Sequence, residues 1–189
     1  METNIVDLVC YHYTNLPAYE SMRTGHKYGK SELHPYRRFL RWGWGSRTLP
    51  EKAHDNIVLG LLEPEPASWI YNKEFPHQWW HVMYDVCKED TIMLLKFPVL
   101  PEDEAFITDR AHMEREFYRQ GNGKGKSVRR TMSNAARRYW ESRVPARDYQ
   151  GEFTMPQFTF WSPIPFERLE VVWTKPCDEV WQRVLRNDW

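Results

Sequence analysis

The start of the fold is decided by residues 9–25, VCYHYTNLPAYESMRTG, where a strand pattern changes directly into a helix pattern. Residues 5–14 are rich in β-branched and aromatic side chains, which predicts a strand. Asn15 suits an N-terminal cap, Pro17 fits the first turn of a helix, and Gly25 fits the position after its last turn. Three apolar residues at helical spacing are predicted to face the core: Leu16, Tyr19 and Met22.

Further strand and helix patterns follow without an internal repeat. We predict strands at 56–62, 91–99, 104–109, 156–161 and 169–173, and helices within 63–72 and at 110–120, 130–143 and 178–186. The order of elements is not a regular β-α-β repeat and G-x-G-x-x-G is absent, which argues against a dinucleotide-binding parallel sheet. The patterns therefore predict one domain over residues 1–189, of the α+β class, with a small, mainly antiparallel sheet flanked by helices.

Composition narrows the class of protein. The chain has 189 residues, of which 41% are hydrophobic and 15% aromatic, enough for a packed core. Its mean hydropathy is −0.74 and it has no long apolar run, so we expect no membrane partner. The N-terminus lacks the basic region of a signal peptide, which predicts a cytoplasmic protein or one delivered into a target cell without a cleavable signal. The three cysteines are odd in number and widely spaced, which predicts reduced thiols rather than a disulfide framework.

Two segments of the chain are strongly basic although the net charge is zero. Residues 23–52 hold eight Lys/Arg and two acids, and residues 124–147 hold eight Lys/Arg and one acid. One reading is two solvated faces; the other is a surface that attracts phosphates. In the second reading, Tyr139 and Trp140 are available to stack on nucleic-acid bases.

His12 is the first candidate for chemistry, because it lies within an apolar strand pattern. Alternation places it on the face opposite its neighbours Tyr11 and Tyr13, either packed or facing a cleft. His77 and His81 are four residues apart, but the motif lacks the glutamate and third ligand of a zinc site, so we expect no metal. No G-x-S-x-G motif is present, which argues against a serine hydrolase.

Four ordered segments resemble a known family: YHYT at 11–14, HDNIVLGLLEPEPASWIY at 54–71, EAFITDRAHMEREFY at 104–118 and MPQFTFWSPIPFERLEVV at 155–172. Together they resemble the ADP-ribosyltransferases of the H-Y-E type, and in particular the DNA ADP-ribosyltransferase toxins of the DarT type. The resemblance implies an ADP-ribosyltransferase-like domain with a split sheet and NAD as substrate. It also implies an antitoxin or inhibitor protein as a partner.

The resemblance assigns residues to the NAD site. It implies that His12, Tyr13 and Thr14 bind NAD and that the ring of Tyr71 stacks near the nicotinamide. A basic residue of the first basic segment assists catalysis in the toxins, and bidentate arginine contacts suit a pyrophosphate. Arg38 is our candidate for the catalytic role and Arg47 for NAD binding, with Arg37 and Arg41 left as alternatives.

Gln157 departs from the family pattern, because the toxins carry a catalytic glutamate at the matching position. A carboxylate stabilises the oxocarbenium-like state as nicotinamide leaves, and a neutral amide stabilises positive charge far less. Four explanations stay open: slower chemistry, a catalytic Glu152 five residues upstream, binding of NAD-like ligands without turnover, or an inactivating Glu→Gln change. The polar side of this strand is expected to line a cleft.

The leading functional hypothesis is an NAD-dependent mono-ADP-ribosyltransferase that moves ADP-ribose to a macromolecule and releases nicotinamide. Nucleic acid is the first expected acceptor, because of the basic segments, and protein is the second. The alternative is a non-catalytic module on the same fold that binds NAD, ADP-ribose or RNA ends. A third hypothesis is an RNA 2′-phosphotransferase, which requires arginines that converge on His12.

Overall fold

The computed structural model describes residues 8–24, 58–87, 90–120 and 126–186, without the side chains of 85 and 117–133. Residues 25–57, which carry Arg38 and Arg47, lie outside these residues. Two compact units divide the chain at residues 26/27, 59/60, 103/104 and 163/164, so the first unit contains 60–103 and 164–186 as well as 8–24. The second unit contains the described residues 58–59 and 104–163, and it is described separately. The prediction of a single domain over 1–189 stays a prediction.

Seven strands and six α-helices occur in the described residues. The strands are β1 Val9–Asn15, β2 Val58–Gly60, β3 Thr91–Pro98, β4 Ala105–Asp109, β5 Val144–Pro145, β6 Pro156–Phe160 and β7 Glu170–Pro176. The helices are α1 Leu16–Arg23, α2 Ala67–Ile70, α3 Gln78–Val86, α4 Ala111–Gln120, α5 Lys126–Glu141 and α6 Cys177–Arg186. Within the described ranges, none of these helices has the length and apolar character needed to span a bilayer.

The sheet of the first unit has the order β1-β3-β7, with both pairs antiparallel. The central strand β3 is apolar on both sides, and Ile92 and Leu95 are fully buried. The second sheet has the order β2-β6-β4-β5, and β4 pairs antiparallel with both of its neighbours. The predicted α+β class with small, mainly antiparallel sheets is therefore confirmed.

The transition from β1 to α1 follows the predicted capping. The Asn15 side-chain oxygen accepts a hydrogen bond from the Ala18 amide at 3.0 Å, and Pro17 lies in the first turn. Ala18 is the buried residue of this short helix, whereas Leu16 is 40% exposed. The prediction that Leu16 faces the core is wrong, because Ala18 is the residue of the first turn that packs inward.

Helix α3 was not predicted, since its sequence begins without a capping side chain. Its core residues are Trp79 and Met83, four positions apart and buried to 3% and 0% exposure. The Trp79 ring packs edge-on against Tyr13 of β1 with centroids 5.6 Å apart. Tertiary packing of one apolar stripe therefore stabilises a helix whose local signals are weak.

An ion pair holds the turn after β3 to the turn before β7. Arg168 donates to both carboxylate oxygens of Asp103, from Nη1 to Oδ1 at 2.8 Å and from Nη2 to Oδ2 at 2.6 Å. Nη2 also donates to the Pro98 carbonyl at 2.6 Å, and Asp103 Oδ2 accepts from the Leu100 amide at 2.8 Å. The two side chains are only 18% and 10% exposed, so this bidentate pair is shielded from solvent.

We expect Asp103→Asn to lower the free energy of unfolding by about 2 kcal/mol, because it leaves the half-buried guanidinium without its counter-charge. Urea unfolding measures the change. Asp148→Asn is the matched control, because Asp148 is exposed, and it is expected to stay within about 0.5 kcal/mol of wild type. Equal effects of the two substitutions would contradict a stabilising role for the ion pair.

The same pair predicts a pH dependence of stability. Burial raises the pKa of the Asp103 carboxyl, but hydrogen bonds from Arg168 and the Leu100 amide outweigh it, and the pKa lies below its ordinary value. A lowered folded-state pKa gives stability that is fully present above the unfolded-state pKa, about 4, and lost as pH falls through the folded value. The stability difference between wild type and Asp103→Asn should therefore shrink below about pH 4.

Candidate functional site

One face of β1 carries the predicted NAD-binding residues His12 and Thr14. The register pairs His12 with Leu95 and Thr14 with Met93, without a bulge in this pair of strands. Because side chains alternate along a strand, His12 and Thr14 share one face with Cys10. His12 is partly exposed, whereas Thr14 is 3% exposed and Cys10 is fully buried. On this face, the titratable ring of His12 is therefore partly accessible to solvent, and the Thr14 hydroxyl is buried.

The Thr14 hydroxyl is the unusual feature of this face. Its Oγ1 atom is buried and has no hydrogen-bond partner within the described part of the chain. A buried hydroxyl without a partner costs roughly 1–3 kcal/mol, so proteins rarely keep one without a reason. A ligand with a hydroxyl or amide group would satisfy it. Together with His12, two residues away on the same face, Thr14 forms the core of the candidate site.

Tyr13 points to the opposite face of β1 and is held firmly there. Its hydroxyl donates to the Pro64 carbonyl at 2.7 Å, and its ring contacts Trp79 and Trp173 edge-on. Burial, with a smaller contribution from nearby Glu65, raises the pKa of the Tyr13 hydroxyl, so it stays protonated and keeps donating. With 8% exposure, Tyr13 connects β1 to the chain that leads to α2.

Tyr71 lies on a turn that is anchored beneath it. It follows α2, whose Trp69 and Ile70 are 1% and 7% exposed, while Tyr71 itself is 55% exposed. The Asn72 side chain closes the turn, donating to the Ser68 carbonyl at 2.9 Å and accepting from the amides of residues 74 and 75 at 3.0 Å. An exposed ring on a fixed turn suits a platform for a planar ligand group.

The segment that carries Tyr71 is attached to β1 by its backbone. Tyr11 and Leu61 exchange two hydrogen bonds, at 2.9 and 2.7 Å, and Tyr13 holds Pro64 three residues further on. His12 lies between these two attachment points on β1. These three hydrogen bonds connect β1 to the chain that leads to Tyr71. The first unit contains all four of these predicted residues, His12, Tyr13, Thr14 and Tyr71.

Gln157 lies in the second unit, on β6, and its side chain has a defined partner. The Tyr139 hydroxyl donates to Gln157 Oε1 at 3.0 Å, and Gln157 is 5% exposed. Thr159, on the same face, is fully buried, so the expectation that this side of the strand is open to a cleft is wrong. Sequence reasoning missed the Tyr139–Gln157 contact because no local pattern couples a helix residue to a strand residue that is distant in the chain.

Glu152, the alternative carboxylate, is exposed on the turn before β6. Its Oε2 accepts from the Gln150 amide at 3.2 Å, next to Gly151 with φ +91°. The buried Asp109 carboxylate fixes the chain between this turn and β6, since it accepts from the amides of Thr154 at 3.4 Å and Met155 at 3.0 Å. Glu152 and Gln157 are both in the second unit, and Arg38 and Arg47 lie outside the described residues.

The second basic segment differs from the stacking surface expected for nucleic acid. Tyr139 and Trp140 are fully buried, so the prediction that they are available to stack on bases is wrong. Helical periodicity turns both rings into the unit's interior, where they contact each other with centroids 4.8 Å apart. Arg138 pairs with the buried Glu116 at 3.0 Å, and Arg143 lies over the Trp161 ring at 5.4 Å. Part of this positive charge therefore has a structural role.

His77 and His81 lie at and near the N-terminal end of α3. His77 precedes the helix, and the His81 ring contacts Trp80 edge-on at 5.1 Å. No group of three or more potential metal ligands occurs among the residues that the structure describes.

The unpartnered Thr14 hydroxyl predicts an unusual response to substitution. Thr14→Val should raise the free energy of unfolding by about 1 kcal/mol, since it replaces a buried hydroxyl that lacks a partner. Thr108→Val is the matched control: Thr108 is also buried, but its Oγ1 donates to the Gln157 carbonyl at 3.3 Å. Its substitution should lower the same free energy by about 1 kcal/mol. Urea unfolding of both variants measures the contrast, and a loss with Thr14→Val would show that its hydroxyl is satisfied.

Comparison with known proteins leaves the function to be argued from these residues. The chain matches no protein-family model, no curated protein and no solved structure.

Proposed function

We propose that this protein is an NAD-dependent ADP-ribosyltransferase that releases nicotinamide and moves ADP-ribose to a macromolecular acceptor. The observation that carries the proposal is the face of β1, where a partly exposed His12 lies two residues from the buried Thr14 hydroxyl, which has no partner in the part of the chain that the structure describes. Ribose hydroxyls donate and accept hydrogen bonds, and this pair offers groups that do the same. The resemblance of YHYT to the first strand of the family implies the same role, binding of NAD, for His12 and Thr14.

The proposed roles follow from the chemistry of each side chain. His12 hydrogen-bonds a ribose hydroxyl of NAD, and the Thr14 hydroxyl gains its missing partner in the same ligand. Tyr71 presents an exposed ring near the nicotinamide, where aromatic contact orients the leaving group. Cleavage of the bond between ribose C1′ and the nicotinamide nitrogen leaves positive charge on the sugar, and the acceptor attacks C1′.

Gln157 supports a second candidate function, a module that binds NAD or ADP-ribose without turnover. Its side chain is neutral and buried, and its amide oxygen is engaged by Tyr139 at 3.0 Å. A neutral amide gives little stabilisation to the developing cation, so the chemical step would lack its main electrostatic support. Tyr139 would also donate to a carboxylate at position 157, which favours its ionised form.

Nucleic acid is the first proposed acceptor and protein the second. The support is the charge of residues 124–147, with eight Lys/Arg against one acid. Arg138 and Arg143 already serve internal contacts, so phosphate binding would depend on the other basic residues of the segment.

We expect His12→Ala, Thr14→Val and Tyr71→Ala each to weaken NAD binding about tenfold, because each removes one contact worth roughly 1–1.5 kcal/mol. Isothermal titration calorimetry measures the dissociation constants, and far-UV circular dichroism checks the fold. Tyr84→Ala is the matched control, because Tyr84 lies in the same unit with 52% exposure against 55% for Tyr71. Its NAD affinity should stay within about twofold of wild type.

The control decides what a loss of binding means. If Tyr84→Ala weakened binding as much as Tyr71→Ala, the effect would not be specific to the site. If His12→Ala and Thr14→Val left NAD binding and nicotinamide release unchanged in a folded protein, the proposed function would be wrong.

Gln157→Glu separates the two candidate functions. We expect it to raise nicotinamide release from NAD at least about a hundredfold, because a carboxylate stabilises the developing cation. Gln150→Glu is the control, since it adds the same charge at an exposed position of the same segment. Liquid chromatography of released nicotinamide measures the rate, and labelled NAD with a cell lysate, split into nuclease-treated and protease-treated halves, identifies the acceptor class. A Gln157→Glu protein that binds NAD but releases no nicotinamide would favour the binding module.

A further inference from the structure

Two of the three cysteines meet in the first unit although they are far apart in the chain. Cys87 lies at the C-terminal end of α3, where its amide donates to the Met83 carbonyl at 2.8 Å. Cys177 is the first residue of α6, and its amide donates to the Asp90 carbonyl at 2.8 Å. Asp90 follows Cys87 by only three residues, so this hydrogen bond places the start of α6 beside the end of α3. The two cysteines therefore lie close to each other.

The surrounding elements hold this pair in place. Thr91 of β3 is the register partner of Pro176, the residue before Cys177. On the helices themselves, Trp181 of α6 contacts Trp80 and Tyr84 of α3, with centroids 5.4 and 6.0 Å apart. A backbone ladder on one side and aromatic contacts on the other thus restrict how far the two sulfur atoms separate.

Cys10, the third cysteine, has different surroundings. It is fully buried in β1, and its Sγ lies 3.8 Å from the Tyr11 carbonyl. Cys87 is half-buried and Cys177 is 8% exposed. A reagent in solvent therefore reaches Cys87 first.

We propose that Cys87 and Cys177 form an intramolecular disulfide when the folded protein meets a small-molecule disulfide such as oxidised glutathione. The Cys87 thiolate attacks one sulfur of the reagent, which forms a mixed disulfide and releases one glutathione thiolate. The Cys177 thiolate then attacks the Cys87 sulfur, which forms the protein disulfide and releases the second glutathione. The protein loses two protons and two electrons, and one molecule of oxidised glutathione takes them up to become two of the reduced form.

The environment of the pair predicts slow oxidation. Burial and the neighbouring Cys177 thiol raise the pKa of the Cys87 thiol, so few molecules carry the attacking thiolate at neutral pH. The pair therefore resists brief exposure to a disulfide and responds to sustained oxidising conditions. Because the bond closes a long loop of chain, oxidation should raise the melting temperature by roughly 5–10 °C.

The experiment is non-reducing peptide mapping by mass spectrometry, after the wild-type protein has been incubated with oxidised glutathione at about pH 8.5, where more thiolate is present. We expect a Cys87–Cys177 linked peptide, with Cys10 still reduced. Melting of the oxidised protein with and without dithiothreitol measures the stabilisation. Both measurements on the wild-type chain are independent of whether any variant folds.

Single cysteine substitutions test which thiol attacks the reagent and which one resolves the mixed disulfide. Cys177→Ala should trap glutathione on Cys87, and Cys87→Ala should leave Cys177 unmodified because it is buried. Cys10→Ala should still form the Cys87–Cys177 bond. The proposal is overturned if the wild-type chain stays fully reduced, carries only glutathione adducts, or forms links that include Cys10 or a second copy of the chain.

Discussion

The antiparallel pairing of β1 with β3 is the constraint on which the candidate site depends. Side chains alternate along a strand, so the register decides which residues share a face. In the observed register, His12 and Thr14 lie on one face, and Tyr13 lies on the other with Trp79 and Trp173. A shift by one residue would exchange these faces, bury the histidine in the aromatic cluster and remove the tyrosine hydroxyl from Pro64.

In the second unit, the constraint concerns the charge of the side chain at position 157. Residue 157 is buried beside the Tyr139 hydroxyl, so whatever stands there is desolvated and hydrogen-bonded. A glutamine meets both conditions without the cost of a buried charge, whereas a glutamate needs the Tyr139 hydroxyl and a cationic ligand to stay ionised. The glutamine of this chain therefore gives tight packing at position 157 without a buried charge.

Burial separates residues that look alike in the sequence. Tyr71 and Tyr139 both belong to aromatic stretches, but Tyr71 is 55% exposed on a closed turn and Tyr139 is fully buried. The arginines of the second basic segment differ in the same way, since Arg138 neutralises a buried glutamate and Arg143 covers an indole ring. Composition alone does not distinguish one tyrosine or one arginine from another, whereas their burial and contacts give them different roles.

The sequence by itself determined the α+β class, most of the strands and the Asn15 cap, because these follow from side-chain alternation, helical spacing and local hydrogen bonds between near neighbours. It also singled out His12, Thr14 and Tyr71 through a family resemblance. Only the tertiary structure decided that α3 forms, that Tyr139 engages Gln157 and that the end of α3 lies beside the start of α6. It also decided that the Thr14 hydroxyl is buried with no partner among the described residues. Each of these depends on groups that are distant in the chain, and no local pattern encodes which distant groups a folded chain brings into contact.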